Sequence, residues 1–253
     1  MQTNIEIIDL EDVLPTTEEH VFCNNVARKI IFCIDISNEM NKELRASINT
    51  GIKDTNLYYS SRLETIQRFL KRFVKVNKIL GNEYDKYAII LLSEKARWWL
   101  DFTTDQDEFT VAIDTLCGET TRKYEKLDTR SIFDEITKHV DLNDTSYFTQ
   151  IILIYSRDQT MPTLFDINEK KYADIRNSPN FTFDVIFLHD GKLSTSIQAI
   201  YDAWGEFESN IVPGWYYEAS LFLGKDKLSK ALMQLVSHPL QRSNQENIED
   251  EVV

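Results

Sequence analysis

Glycine is scarce in this chain, and that scarcity excludes much. Among 253 residues there are seven glycines, and neither Gly-x-x-x-x-Gly-Lys nor Gly-x-Gly-x-x-Gly occurs. The glycine-rich turns that bring backbone N–H groups onto a phosphate are therefore missing. Histidine is short too: His20, His139, His189 and His238 are scattered. No pair has the spacing of a metal-binding helix, and no His-x-Glu deaminase pattern is present. Three cysteines, Cys23, Cys33 and Cys117, show no paired spacing. A sparse, odd set fits reduced thiols and an intracellular protein. Basic charge is in deficit, with 28 Lys and Arg against 41 Asp and Glu and a net charge of −13. That argues against a duplex-binding protein, which needs a basic face. No basic segment followed by an apolar one opens the chain, and no apolar run approaches the ~18 residues of a membrane span. The expectation is a soluble protein.

What is present is an ordinary apolar fraction of 42%, enough for one large α/β domain. Much of the acid lies at the ends. Glu6, Asp9, Glu11, Asp12, Glu18 and Glu19 face only Arg28 near the start, and Glu246, Glu249, Asp250 and Glu251 crowd the last residues. Residues 1–26, with one short alternating piece at Ile5–Leu10, read as an acidic, disordered lead-in, and the acidic end reads likewise. Residues 27–238 read as the domain, and residues 239–253 as an extended tail with an acidic end.

The domain is organised around residues 29–39. Ile30 to Ile34 is an uninterrupted apolar run, the pattern of a strand covered on both faces. Polar chemistry starts where the run ends, at Asp35, Ser37 and Glu39. A connection then runs over 40–60. Ser61 and Glu64 form a capping box opening a helix with Leu63, Ile66, Leu70, Phe73 and Leu80 on one face, ended at Gly81. Arg68, Lys71, Arg72 and Lys75 read as its solvated face rather than a nucleic-acid patch. Strands over Tyr87–Ser93 and Arg97–Phe102 form a hairpin turning at Glu94–Lys95. Thr104 caps a helix carrying Phe109, Ile113 and Leu116. After a charged loop over 119–128, a helix over 130–141 buries Ile132, Phe133, Ile136 and Val140. Strand Gln150–Tyr155, a short helix over 167–176, strand Phe181–Leu188, a helix over 195–207, strand Trp215–Leu223 and a last helix with Leu228, Leu232 and Leu235 complete the chain. This alternation predicts a Rossmann-like α/β fold, a mostly parallel central sheet with one antiparallel edge strand and helices on both faces.

A carboxylate, a hydroxyl and a carboxylate at i, i+2 and i+4 beyond a strand's carboxyl end are suited to a hard cation. Asp35, Ser37 and Glu39 resemble the Asp-x-Ser-x-Ser signature of von Willebrand factor A (VWA) domains, with Glu39 in place of the second serine. The resemblance implies a Thr before a helix, which Thr129 supplies, and an Asp after the next core strand. Ser156 and Arg157 stand there instead. A guanidinium at that point opposes a cation and suits Asp35 itself, so the site reads as degenerate and without metal. The alternative is a cation-dependent binding module using Asp35, Ser37, Glu39 and Thr129. His189 with Asp190 offers an enzymatic alternative, but no nucleophile–base–orienter set can be assembled around it. Cys117, beside Gly118 at a helix end, reads as structural.

Several stretches together resemble one family. They are Ala27-Arg-Lys-Ile-Ile-Phe-Cys-Ile-Asp-Ile-Ser-Asn-Glu-Met40, Ile151-Ile-Leu-Ile-Tyr-Ser-Arg157, Phe183-Asp-Val-Ile-Phe-Leu-His189, Tyr217-Glu-Ala219 and Leu235-Val-Ser-His-Pro-Leu-Gln-Arg242. Their order resembles the VWA-like scaffold subunit shared by the BRISC and BRCA-A deubiquitinase complexes, the complex member 1 family. The resemblance implies a non-catalytic adaptor without a cofactor. It implies direct binding to a ubiquitin-E2-variant scaffold subunit, in an assembly whose JAMM zinc isopeptidase and MPN-like partner cleave lysine-63-linked ubiquitin chains. It further implies cytoplasmic and nuclear roles, the latter in the DNA-damage response. Pro239, Leu240, Gln241 and Arg242 would form part of the contact with the scaffold subunit. The family's longer N-terminal region is much reduced here.

Overall fold

A computed structural model describes residues 26–44, 60–118, 124–166, 168–190, 195–220 and 224–245. The acidic lead-in, Cys23, most of the 40–60 connection and the acidic end fall outside them. The elements run β1 (Ala27–Asp35), β2 (Glu43–Leu44), β3 (Ser60–Ser61), α1 (Arg62–Leu80), β4 (Lys86–Leu92), β5 (Ala96–Thr103), α2 (Gln106–Asp114), β6 (Leu127–Asp128), α3 (Arg130–His139), β7 (Tyr147–Tyr155), β8 (Pro162–Thr163), α4 (Lys170–Arg176), β9 (Phe181–His189), α5 (Thr195–Gly205), β10 (Tyr216–Ser220) and α6 (Gly224–Gln234).

Six strands form the central sheet in the order β10-β9-β7-β1-β4-β5. All neighbours are parallel except β5, which folds back on β4 as the antiparallel edge. The chain leaves β1 toward β4 on one side and returns through α3 to β7 on the other. The crevice between the carboxyl ends of β1 and β7 is thus the topological switch point, the usual ligand position of such sheets.

Both sheet faces are buried, as the unbroken apolar runs require. Ile30, Phe32 and Ile34 of β1 pack with residues of α1, α2 and α6, and Ile31 and Cys33 pack with residues of α3, α4 and α5. Phe32 meets Phe73 edge-on at 5.3 Å between ring centroids. On the other face Phe133 stacks on Phe183 at 5.8 Å. Burial drives the Cys33 thiol far above its ordinary pKa, so it is an inert core group, while Cys117 is exposed.

Local signals explain the element ends. Ser61 Oγ accepts from Glu64 N–H while Glu64 Oε2 accepts from Ser61 N–H, completing the expected capping box. The cap of α2 is Asp105 rather than Thr104; its carboxylate accepts from the N–H groups of Asp107 and Glu108, and a carboxylate also suits the helix N-terminus electrostatically. The last strand ends at Ser220, with 221–223 outside the described residues. The 119–128 loop contributes β6, which pairs with β8. Among the described residues no helix is long and apolar enough to cross a membrane.

Gly214 sits where β9 leaves no room. A Cβ there would lie 1.9 Å from the Phe183 carbonyl oxygen, whereas at Gly205 it would meet nothing within 4 Å. Gly214→Ala is expected to destabilise by about 1–3 kcal/mol or more, as overpacking does. Gly205→Ala should be neutral or stabilise by up to about 1 kcal/mol. Urea denaturation of the two variants checks the contrast.

Candidate functional site

At the switch point β1 delivers Asp35 and the turn after β7 delivers Ser156 and Arg157. All three are buried, Asp35 at 0% and Arg157 at 1% exposure. Arg157 Nε and Nη2 donate to Asp35 Oδ1 at 3.1 and 2.9 Å. The same guanidinium donates to the carbonyls of Leu92 at 2.9 Å, Ser93 at 2.7 Å and Lys126 at 3.2 Å. The Tyr124 ring lies 4.9 Å from its central carbon. Asp35 is completed by Ser37 N–H at 2.9 Å, Ser37 Oγ–H at 3.0 Å and Ser156 N–H at 3.1 Å. Every lone-pair direction of the carboxylate faces a donor, which a buried charge requires.

The resemblance implies a divalent cation in this crevice, and the residues do not fit one. The carboxylate that would hold it already carries a guanidinium. The Thr129 hydroxyl donates instead to the Thr163 carbonyl, across the β6–β8 pair. Glu39, in the 3-10 turn Asn38–Asn41, pairs with Lys42 at 3.8 Å. Of the expected set, Asp35, Ser37 and Arg157 converge; Glu39 and Thr129 do not hydrogen-bond Asp35 among the described residues. No cluster of three or more His, Cys, Asp or Glu able to hold a metal occurs among them either.

Above this pair lies a second ionic layer. Arg62, the first residue of α1, donates to Ser156 O and Oγ at 3.1 and 2.8 Å and pairs with Asp190. Lys42 Nζ lies 2.9 Å from Asp190 Oδ2 and 3.5 Å from Asp158 Oδ2. Burial lowers the Arg62 pKa. Burial also works against Lys42, but its bond to Asp190 and the fields of Asp158 and Glu39 outweigh it and hold its pKa up. Burial likewise opposes ionised Asp190, and the hydrogen bond from Lys42 and the charge of Arg62 hold its pKa down. His189 pairs with Glu218 on β10. His189 and Asp190, the enzymatic alternative, are therefore committed to different partners.

The opposite end of the sheet is also polar. Arg28 donates to Asp85 Oδ2 at 2.8 Å, to Gln150 Oε1 at 3.2 Å, to Val236 O at 3.0 Å and to Asn77 Oδ1. Gln150 Nε2 in turn donates to Asp184 Oδ2 at 2.8 Å. Asp184 Oδ1 accepts from Trp215 N–H at 2.8 Å and Arg242 Nη1 at 2.7 Å. Arg242 lies over the Trp215 ring at 4.7 Å, and its side chain is 2% exposed. This corrects the expected extended tail: Pro239–Gln241 is a 3-10 turn folded against the domain. The buried Asp184 carboxylate needs a counter-charge, and Arg242 reaches back to supply it. Pro239 is buried, while Leu240, at 37%, and Gln241 face outward.

Sequence reasoning missed Arg62, Arg28, Asp184 and Gln150. Each carried a signal. An arginine in a helix's first turn opposes the helix dipole, and a polar residue within an apolar strand must find a buried partner.

Arg157→Met leaves Asp35 buried without its counter-charge and is expected to cost about 3–5 kcal/mol in urea denaturation. Asp35→Leu with Arg157→Met should recover most of it. The thermal midpoint of the native chain should be the same in millimolar magnesium and in EDTA; a rise of several degrees with magnesium means that Asp35 releases Arg157 for a metal.

No family model matches the chain. It is 28% identical to the Xenopus laevis protein named BRISC and BRCA1-A complex member 1 over 229 residues, 86% of this chain and 65% of that protein. The like-named Danio rerio protein is 27% identical over 242 residues, 90% of this chain and 62% of that protein. The Homo sapiens one is 23% identical over 227 residues, 86% of this chain and 66% of that protein. The chain thus spans less than two thirds of the Xenopus laevis relative's length, about 65%. Among solved structures, the SpRpn10 VWA domain superposes with a TM-score of 0.54 at 16% identity, over 87% of this chain and all of that one. A von Willebrand factor type A protein from Catenulispora acidiphila gives 0.53 at 11% identity, over 86% of this chain and 44% of that one. The chain thus has the VWA fold and is similar, over most of its length, to the proteins named BRISC and BRCA1-A complex member 1.

Proposed function

We propose that the chain is a non-catalytic scaffold subunit of a lysine-63-specific deubiquitinase assembly of the BRISC/BRCA-A kind. The similarity over 86% of the chain to a relative named as a member of those complexes carries this reading. The closed switch-point crevice supports it. A VWA module that captured a partner carboxylate through a metal would need Asp35 free, and Asp35 is paired with Arg157, so no observation favours the cation-dependent alternative. In this reading the direct partner is a ubiquitin-E2-variant subunit, and a JAMM zinc isopeptidase with its MPN-like companion supplies the hydrolysis. The chain would act in cytoplasm and nucleus.

The docking element we propose is the Pro239–Arg242 turn with the groove beside it. Arg242 anchors the turn rather than projecting from it. The exposed Leu240 and Gln241 then present the contact. Leu80, Tyr84, Met233 and Gln241 line an adjoining groove of about 1060 Å³. Leu80 is 73% and Tyr84 63% exposed, an apolar rim suited to a protein partner.

Affinity purification of the chain from its own cell extract tests the reading. A ubiquitin-E2-variant protein and a JAMM peptidase should be recovered; their absence sinks it. Leu240→Asp should reduce that recovery without changing the thermal midpoint. Arg242→Ala should reduce recovery and also destabilise by about 2–5 kcal/mol, because it strands Asp184. Recovery indifferent to both variants removes the turn from the interface.

The turn also predicts a pH dependence. His238 Nδ1 accepts from Leu240 N–H at 3.2 Å, which requires the neutral ring. Burial, then the charge of Arg28, lowers its pKa from 6.5 to about 4. Between these values the unfolded chain binds the proton and the folded chain does not, so stability falls as pH drops through that window. His238→Gln keeps an acceptor without a titration in this range and should flatten the decline, read as urea midpoints at pH values across it.

A further inference from the structure

We propose that the outer edge of β10 receives an extended acidic segment of a partner protein by strand addition. The inference is independent of which complex the chain joins. Among the described residues β10 has one strand neighbour, β9. Val185 N–H donates to Trp215 O at 2.9 Å. Peptide groups alternate in direction along a strand, so Trp215, Tyr217 and Ala219 address β9 while Tyr216 and Glu218 address the open side. Tyr216 shows what that side accepts. Its N–H donates to Gln245 Oε1 at 2.9 Å, and its carbonyl accepts from Gln245 Nε2 at 2.7 Å. A primary amide presents the same donor and acceptor as a peptide group. Gln245 therefore occupies one rung as a strand would, and the next rung, at Glu218, continues the same ladder.

Charge selects the occupant. Beside this edge lies a cavity of about 310 Å³ lined by Tyr201, Tyr216 and Tyr217, by Lys227 and Lys230, and by Glu218, whose carboxylate is paired with His189. Lys227 and Lys230 are exposed, stand one turn apart on α6, and make no ion pair among the described residues. Several other surface cations of this acidic chain are balanced, as Lys42, Lys71 and Lys171 are by aspartates. Two unbalanced ammonium groups next to outward peptide groups and flat tyrosine walls favour a strand with carboxylates on alternate residues. Backbone pairing supplies the affinity and the lysines select the sign of charge.

Fluorescence anisotropy on the full chain tests this, with labelled Glu-Val-Glu-Val-Asp-Val-Glu as probe and Lys-Val-Lys-Val-Lys-Val-Lys as control. The acidic probe should bind and the basic one should not. Lys227→Glu with Lys230→Glu should weaken binding about tenfold or more, equivalent to 1.4 kcal/mol, at an unchanged thermal midpoint. Glu218→Pro, tolerable on an edge strand, should weaken it by removing the outward N–H. Equal binding of both probes, or indifference to the charge reversal, overturns the proposal. So does binding that appears only when Glu246, Glu249, Asp250 and Glu251 are neutralised, since the chain's own acidic end would then hold the edge.

Discussion

The pairing of Asp35 with Arg157 is the constraint on which the switch point of this sheet depends. One guanidinium ties the end of β1 to the turn after β7, to the carbonyls that close β4, and to Lys126 in the preceding loop. Removing two charges from water is costly, and their attraction offsets that cost only when every donor and acceptor is satisfied. Here the donors reach five acceptor contacts and the carboxylate receives further N–H and hydroxyl bonds. The pair therefore contributes geometric definition more than net stability. Its two central strands cannot slip in register without stranding a buried charge.

A bound ion in the same crevice would make the structure depend on ion concentration and leave a coordination position open. A covalently attached guanidinium does neither. It is always charged, carries no exchangeable position, and has directional donors that match carbonyls as well as a carboxylate. The second layer, where Arg62 and Lys42 share Asp190, closes the crevice further from solvent. A fold whose switch point usually presents chemistry has thus become a sealed structural joint.

The opposite end follows the same physical rule with a different result. Asp184 is buried within an apolar strand, and its charge is met from outside the sheet by Arg242. That demand bends the segment after α6 back onto the domain and exposes Leu240 and Gln241 beside the groove of Leu80 and Tyr84. The scaffold role proposed above would benefit from this arrangement. A contact surface held by a buried ion pair is ordered before it meets a partner and loses little entropy on binding.

Much of the architecture was legible in the residues themselves. Unbroken apolar runs such as Ile30–Ile34 require two covered faces, and with intervening helical periodicities they determine a parallel sheet flanked by helices. The Ser61–Glu64 box and the 94–95 hairpin turn were legible because those signals act over a few residues. The Arg157 substitution at the switch point was visible because the apolar strands bring Asp35 and the residues after Tyr155 to one crevice. The partners of Asp184, Arg28, Arg62 and Thr129 were not visible. Each is satisfied by groups 31 to 208 residues away, Asp184 by Trp215 and Arg28 by Val236 at the extremes. A one-dimensional pattern states that a buried polar group needs a partner. Only the packing of the elements decides which one it finds, and here that choice closed one end of the sheet and folded the Pro239–Arg242 turn onto the other.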